Sequence, residues 1–234
     1  MANKKEQNKA LDVNESLNKS EAFFLKYQKA ILIAVAAIVI IIVGAIMYNN
    51  YIATPHENEA STTLAKGQQY MAADQYDKAL KGDGAGFAGF LKIAEDYSGT
   101  EAGNLANLYA GLCYANQTNP DWKAALTYVE KFSTSNDQLI SPASQMALGD
   151  IYANNGELDK AIELFKKAAD MANSKADDNI NVTVAPLALR KAGIILESQN
   201  KKAEALELYK SIKTKYIGSA VAQDIDKYIE RVSQ

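Results

Sequence analysis

An uninterrupted apolar segment, Ala30–Met47, constrains this chain more than any other feature of its sequence. Its eighteen residues include no charge, no proline and no strongly hydrogen-bonding side chain. At a helical rise of about 1.5 Å per residue the segment would extend roughly 27 Å, close to the thickness of the hydrocarbon core of a bilayer. We therefore predict a transmembrane helix over residues 30–48, preceded by a tail of residues 1–29 and followed by a tether of residues 49–56.

The lysines that flank this segment predict its orientation. Lys19, Lys26 and Lys29 lie within the twenty residues before it, whereas Lys66 alone lies within the twenty residues after it. Lysine close to a span tends to remain in the cytoplasm, so we expect the N-terminal tail there and the region after Tyr48 on the other side. The aromatic residues expected at headgroup depth are Phe23, Phe24, Tyr27, Tyr48 and Tyr51.

A cleaved signal peptide is the alternative interpretation of the segment. Its apolar core would be shorter, a leader of 29 residues is unusually long, and no convincing Ala-x-Ala site follows. A lipoprotein anchor needs a cysteine directly after the apolar segment, and the one cysteine of the chain is Cys113. The sequence therefore favours an uncleaved membrane anchor.

The charge balance bears on possible partners. The tail carries six lysines and four acidic residues, so residues 30–234 carry a net charge of −5. Nucleic-acid binding needs a clustered cationic surface, so we expect no nucleic-acid partner. The region after the tether is long enough for one domain with a substantial core, which we assign to residues 57–234.

A tetratricopeptide pattern lies in Ala143–Ala168, where a Leu-Gly-x-x-Tyr helix precedes an Ala-x-x-x-Phe helix. Asn154, Asn155 and Gly156 form the turn between them. Its characteristic residues are Leu148, Gly149, Tyr152, Ala161, Phe165 and Ala168. A copy before it, with a turn one residue longer, has Ala110, Gly111, Tyr114, Ala124 and Tyr128. A copy after it has Ala192, Gly193, Leu196, Ala205, Tyr209 and Ile212.

A degenerate first unit is expected to pair a helix at Glu57–Leu80 with a second at Phe87–Tyr97. Thr100 and Ser219 follow equivalent exits from their repeats and should cap the next helices, and Ser141 before Pro142 gives the same start signal. Residues 173–183 should form a surface loop, and a polar helix at residues 219–232 should cap the array. The predicted fold is all-α, with one N-terminal transmembrane helix followed by a right-handed tetratricopeptide-repeat α-solenoid and a C-terminal capping helix.

No catalytic, cofactor or metal site can be assembled from the sequence. The run Gly84-x-Gly86-x-x-Gly89 has the spacing of a dinucleotide loop but follows a charged helical segment, so a flexible hinge between helices is the better interpretation. The run that begins at Asp177 lacks the central glycine and final glutamate of a calcium loop. His56 is the one histidine and Cys113 is expected to be buried. We therefore expect neither an enzyme nor a small-molecule substrate.

The repeat register predicts a mostly apolar concave surface on the first helix of each pair. Such a surface suits binding of extended segments or of an amphipathic helix. It lacks the Lys and Asn side chains with which some members of the repeat family bind the terminal carboxylate of a partner. The alternative is that the protein's own first unit covers it. The expected lining consists of Leu105, Leu108, Leu112, Met146, Asp150, Leu187, Arg190 and Ile194.

The order of parts resembles a known family, the YfgM-type ancillary subunit of the bacterial SecYEG translocon. The matching features are a short tail with Phe23-Phe24 and Lys29-Ala30, one membrane helix, and repeats beyond it. The run Gly99–Ala106, with Gly82-Asp83-Gly84 and Gly89-Phe90-Leu91 before it, is similar to the Bacteroidetes version.

This resemblance implies a non-enzymatic helper in the bacterial inner membrane with its repeat domain in the periplasm. Its implied partners are the lipid bilayer, translocon subunits, a membrane-anchored periplasmic chaperone and exported polypeptides. The resemblance implies no catalytic residues and no cofactor. A structural scaffold of an envelope assembly or secretion complex, with folded partners, is the competing hypothesis.

Overall fold

The computed structural model of the chain describes residues 2–234, and it describes the side chains of Phe23 and of residues 25–234. The chain forms two compact units, of which the first ends at Pro55 and the second covers His56–Gln234. The roles expected for the side chains of Lys19 and Phe24 lie outside the described side chains.

The first unit is helical. Helix α1 covers Ala2–Tyr48, and a π-helical turn, Asn49–Ala53, follows it. The expected tether is therefore helical, since Thr54, Pro55 and His56 already belong to the next helix. From Leu32 onward the apolar side chains of α1 are exposed, and within the described residues one helical segment, near the N-terminus, is long and apolar enough to span a membrane.

The second unit is built from helices joined by short connections, and no β-strand occurs anywhere in residues 2–234. The all-α fold predicted from the sequence is confirmed. Its helices are α2 (Thr54–Ala72), α3 (Tyr76–Lys81), α4 (Phe90–Asp96), α5 (Glu101–Asn116), α6 (Trp122–Lys131), α7 (Ile140–Asn154), α8 (Leu158–Lys175), α9 (Val184–Ser198), α10 (Lys202–Lys215), α11 (Ala220–Asp224) and α12 (Asp226–Ser233).

In three of the pairs, a turn of the same geometry separates the first helix from the second. Asp74, Gly156 and Asn200 have φ of 54°, 84° and 59°, a left-handed conformation that glycine, asparagine and aspartate adopt most readily. In each turn the next backbone amide donates to a carbonyl five residues earlier, at 2.9 Å. The helix predicted at Glu57–Leu80 is therefore wrong in its end, because α2 stops at Ala72 and a turn follows.

The glycine-rich loop of residues 82–89 interrupts the second helix of the first pair. Phe90, after the loop, packs on Gly67 of α2 in the way that Phe165 packs on Gly149. Helices α3 and α4 together therefore correspond to α8, so the loop joins two helices, as predicted, but lies within the second helix of the first pair instead of between the two members of the pair. We call α2, α5, α7 and α9 the first helices, and α3 with α4, α6, α8 and α10 the second helices.

The second pair is shifted by one residue from the predicted register. The amide of Asp121 donates to the carbonyl of Tyr114, seven residues earlier, whereas the equivalent bond of the next pair covers five residues. The turn is therefore two residues longer, not one. Ala125 and Val129, both fully buried, replace the predicted Ala124 and Tyr128 as the residues packed on Gly111.

Two of the three predicted helix caps are confirmed. The hydroxyl of Thr100 accepts from Gly103 N at 2.9 Å, and that of Ser219 accepts from Ala222 N at 3.1 Å. Ser141 is not a cap, because α7 begins one residue earlier. The side chain of Asp137 performs this role, with its carboxylate accepting from the amides of residues 139–141. The predicted capping helix is broken at Ile225 into α11 and α12.

Candidate protein-interaction surface

Four glycines set the register of the first helices. A β-carbon at Gly67, Gly111, Gly149 or Gly193 would overlap the side chain of a second-helix residue, so each pair packs closely at this point. The residue after each glycine, and those three and six positions before it, then share one stripe of the first helix, to one side of the face that carries the glycine. The predicted lining residues occupy these positions in α5, α7 and α9.

The predicted lining residues differ in how exposed they are. Leu108 is only 4% exposed and belongs to a core cluster with Val129 and Ile151, so it is not available to a ligand. Ile194 is the most exposed aliphatic side chain of the set, at 42%. Six predicted residues are half-buried, namely Leu105, Leu112, Met146, Asp150, Leu187 and Arg190.

The half-buried apolar residues also pack against the core. Leu105 contacts the cluster that α5 shares with the first pair. Met146 and Leu187 contact the largest cluster, which extends from α7 to α12. These side chains therefore have two roles, since one part of each is covered by the core and the other part is accessible.

Polar contacts tie neighbouring first helices together at this surface. Gln68 Nε2 donates to the hydroxyl of Tyr109 at 2.8 Å, and Lys191 Nζ donates to Asp150 Oδ1 at 2.7 Å. The two contacts occupy equivalent positions in the repeat, 82 residues apart. Sequence reasoning missed Lys191, although the repeat spacing places it beside Asp150. An ion pair this exposed contributes about 0–1 kcal/mol, so a bound ligand can replace it.

The glycine-rich loop is organised by the carboxylate of Asp83. Asp83 Oδ1 accepts from the amides of Ala85 and Phe87, and Oδ2 accepts from Tyr70 OH at 2.7 Å and pairs with Lys66 Nζ at 2.9 Å. These bonds, the one from Tyr70 first, lower the pKa of Asp83. Two of the loop amides are thus committed to Asp83 instead of facing a phosphate.

Cys113 and His56 have ordinary structural surroundings. Cys113 is completely buried, and burial raises the pKa of its thiol to about 12. The ring of His56 is 4.7 Å from that of Tyr97, centre to centre. Among the residues whose side chains the structure describes, no three of His, Cys, Asp and Glu are grouped so as to hold a metal. Asp178 accepts from the amide of Ile180 within its own loop.

An open cleft of about 720 Å³ lies between α4 and α6. Its rim carries Lys81 and Lys92, whose ammonium groups pair with the exposed carboxylates of Asp77 and Asp96 at 3.1 and 2.6 Å. Lys131, the third lysine of the lining, has its ammonium group 4.5 Å from the centre of the Tyr128 ring, and Glu95 of the lining also pairs with Lys92.

Comparison with known proteins identifies the fold. Two crystal structures of the nearly identical TPR-like repeats of a putative kinesin light chain from Podosopora anserina superpose on this chain, each with a TM-score of 0.58. Each is 13% identical to this chain, and the superposition covers 76% of this chain and 87% of that one. At this identity the likeness establishes the fold and not what the repeats bind.

Family comparison covers a smaller part of the chain. Residues 118–220 match the family described as Suppressor of spindle checkpoint defect 1 C-terminal domain. The matched residues are less than half of the chain. No curated protein sequence matches. The chain thus has a tetratricopeptide-like repeat fold.

Proposed function

We propose that this protein is a membrane-anchored interaction subunit that assists polypeptide export at the periplasmic face of a bacterial translocon. The repeat fold supports binding of proteins in general, and the exposed apolar helix supports an anchor. The YfgM-type resemblance, carried by the short sequence runs, supports the narrower assignment to the translocon and a periplasmic chaperone.

The observation that carries this proposal is the accessible apolar row on the first helices. Leu112 of α5 and Ile194 of α9 directly follow the glycines of their helices, Met146 lies one helical turn before the equivalent position in α7, and all three retain accessible surface. Flexible or aliphatic side chains such as these bind apolar segments without demanding one sequence. A helper that meets many different emerging chains needs this tolerance.

Anchoring makes weak binding effective. A surface confined close to an exit pore meets each emerging chain at a high effective concentration, so a modest intrinsic affinity is sufficient. Weak binding also permits release to the next partner. In this mechanism the protein forms and breaks no covalent bond.

The test measures binding of an unfolded polypeptide to the full-length protein in lipid nanodiscs. The probe is a reduced and alkylated polypeptide that cannot fold, carrying a fluorophore whose anisotropy reports binding. Ile194→Asp should weaken binding about tenfold or more, because burial of an isoleucine side chain contributes about 1.5–3 kcal/mol.

The matched control is Thr127→Asp, which introduces the same charge at an exposed position in the middle of the second helix α6. It should leave binding of the unfolded probe unchanged. Equal affinity of the wild type and Ile194→Asp would contradict the proposal. Crosslinking in intact membranes that captures one folded complex and no exported chains would instead support the scaffold hypothesis.

A further inference from the structure

The exposed large aliphatic residues of the repeat unit are concentrated at one edge. Leu139 and Ile140 are 48% and 42% exposed, Val182 is 46% exposed and Ile217 is 77% exposed. All four lie in, or directly after, the connections that follow the second helices α6, α8 and α10. Because paired helices are antiparallel, these connections share one edge of the repeats, which we call the inter-repeat edge.

A chain of polar contacts holds these connections together. Asn181 Nδ2 donates to the carbonyl of Gln138 at 3.0 Å, and Asn181 N donates to Asn173 Oδ1 at 2.9 Å. Asn173 Nδ2 donates in turn to the hydroxyl of Tyr216 at 2.7 Å. Asn181 is 5% exposed and Tyr216 is 1% exposed. The aliphatic residues therefore project from a fixed edge and not from independent loose loops.

Lysines accompany the aliphatic residues. Lys131, Lys175 and Lys215 stand in the last turns of α6, α8 and α10, which end at this edge. Acidic residues also stand at this edge, namely Asp96, Glu101, Glu130, Asp177 and Asp178, while the carboxylate of Asp137 is already occupied by backbone amides. Aliphatic tips bordered by lysines are typical of surfaces that lie in a membrane interface.

The chain enters the repeat unit at the same edge. His56 contacts Tyr97 in the connection between the first two pairs, and the carboxylate of Glu57 accepts from the amides of Glu101 and Ala102 at 2.8 and 3.0 Å. The apolar segment ends at Met47, nine residues before His56. Nine residues reach at most about 30 Å when fully extended. The length of the chain therefore allows this edge to reach the surface of a bilayer that holds the segment.

We propose that the inter-repeat edge docks on the phospholipid surface in which the chain is anchored, with Leu139, Ile140, Val182 and Ile217 in the headgroup region. This inference rests on the membrane anchor of the proposed function. Docking would hold the repeats in one orientation and leave the first-helix surface accessible to polypeptides.

The test places a nitroxide label at single cysteines in the full-length chain, reconstituted in phosphatidylethanolamine and phosphatidylglycerol liposomes at low protein density. Val182→Cys and Ile217→Cys report on the inter-repeat edge, and Asn155→Cys is the control in an intra-repeat turn at the opposite edge. The measurement is the accessibility of each label to oxygen relative to a water-soluble nickel complex. Thermal melts verify that each variant is folded.

We expect the ratio of oxygen to nickel accessibility to be severalfold higher at residues 182 and 217 than at residue 155. Equal ratios at the three positions would overturn the proposal. Spin–spin broadening at 182 or 217 would show a second copy on this edge and would also overturn it. Release of the chain from liposomes by an alkaline wash would refute the anchor itself, whereas retention with water-exposed labels would refute only the docking of the edge.

Discussion

The ring of Phe165 lies directly over Gly149, so a β-carbon at Gly149 would stand 2.7 Å from Phe165 Cε1. Non-bonded carbon atoms do not approach each other this closely, and Phe165 is fully buried, so it has little space into which to move. We therefore expect Gly149→Leu to lower the free energy of unfolding by about 2–4 kcal/mol. Chemical denaturation of the full-length protein in detergent measures this difference.

The control for this substitution is Gly218→Leu. A β-carbon at Gly218 would have no neighbour within 4 Å. We expect a change of about 0.5 kcal/mol or less, as for most surface substitutions. Equal denaturation midpoints for wild type and Gly149→Leu would mean that α7 and α8 do not meet at this glycine.

Asp83 should make stability depend on pH. Its carboxylate has a pKa below the ordinary value of 3.8, first because of the bond from Tyr70 and then because of Lys66 and two amides. A lowered pKa in the folded state stabilises the protein fully above about pH 5, and this stabilisation is lost as the pH falls through the folded-state pKa. Asp83→Asn should therefore melt at a lower temperature than wild type at pH 7. This difference in melting temperature should become smaller towards pH 3.

Asp77→Asn is the matched control, because Asp77 is 74% exposed and pairs with one lysine at the surface. It should melt like wild type across the same pH range. If the melting temperatures of wild type and Asp83→Asn differ by the same amount from pH 7 to pH 3, the charge of Asp83 does not hold the glycine-rich loop.

The third prediction concerns the cap of α5. Thr100 Oγ1 accepts from Gly103 N and donates to the carbonyl of Tyr97, so one hydroxyl serves both the end of α4 and the start of α5. Thr100→Ala should cost about 1 kcal/mol of stability. Thr127→Ala, in the exposed middle of α6, should cost nothing measurable. A loss in denaturation experiments that is the same for both would contradict the capping role.

The sequence predicted the repeats best where their spacing is regular. Residues 143–168 and the pair after them place small and aromatic residues at fixed intervals, and the structure packs them as expected. The first pair could not be predicted, because the inserted loop separates Ala79 from Phe90 and hides the spacing that links them. In α6, Ala124 and Ala125 are identical in type, so only the length of the preceding turn decides which one is buried.

The exposure of the predicted lining residues could likewise not be predicted from the sequence of one helix. Leu108 and Leu112 are the same residue type at helical spacing on α5, and the pattern assigns both to one face. Packing against Val129 and Ile151 buries Leu108, whereas Leu112 keeps accessible surface. The partner helix α6 and the next repeat together decide this difference, so the sequence of α5 alone could not reveal it.

Cys113 should be unreactive in the folded protein. With a thiol pKa of about 12, its thiolate fraction at pH 8 is roughly a thousandfold below that of a free cysteine, and the sulfur is also fully buried. Mass spectrometry after treatment with a maleimide at pH 8 should show no adduct, whereas Asn155→Cys should be labelled at its new thiol. Complete labelling of Cys113 within minutes would show that α5 opens readily.

The last prediction concerns topology, which follows from the lysines beside the apolar segment. If Lys26 and Lys29 hold the tail in the cytoplasm, a protease added to spheroplasts should digest the region after Tyr51 and leave a membrane-embedded N-terminal fragment. A soluble cytoplasmic protein measured in the same sample must stay intact, which shows that the membrane is closed. Digestion of the repeat unit only after the spheroplasts are lysed would place it in the cytoplasm, and the proposal of a periplasmic interaction subunit would then be wrong.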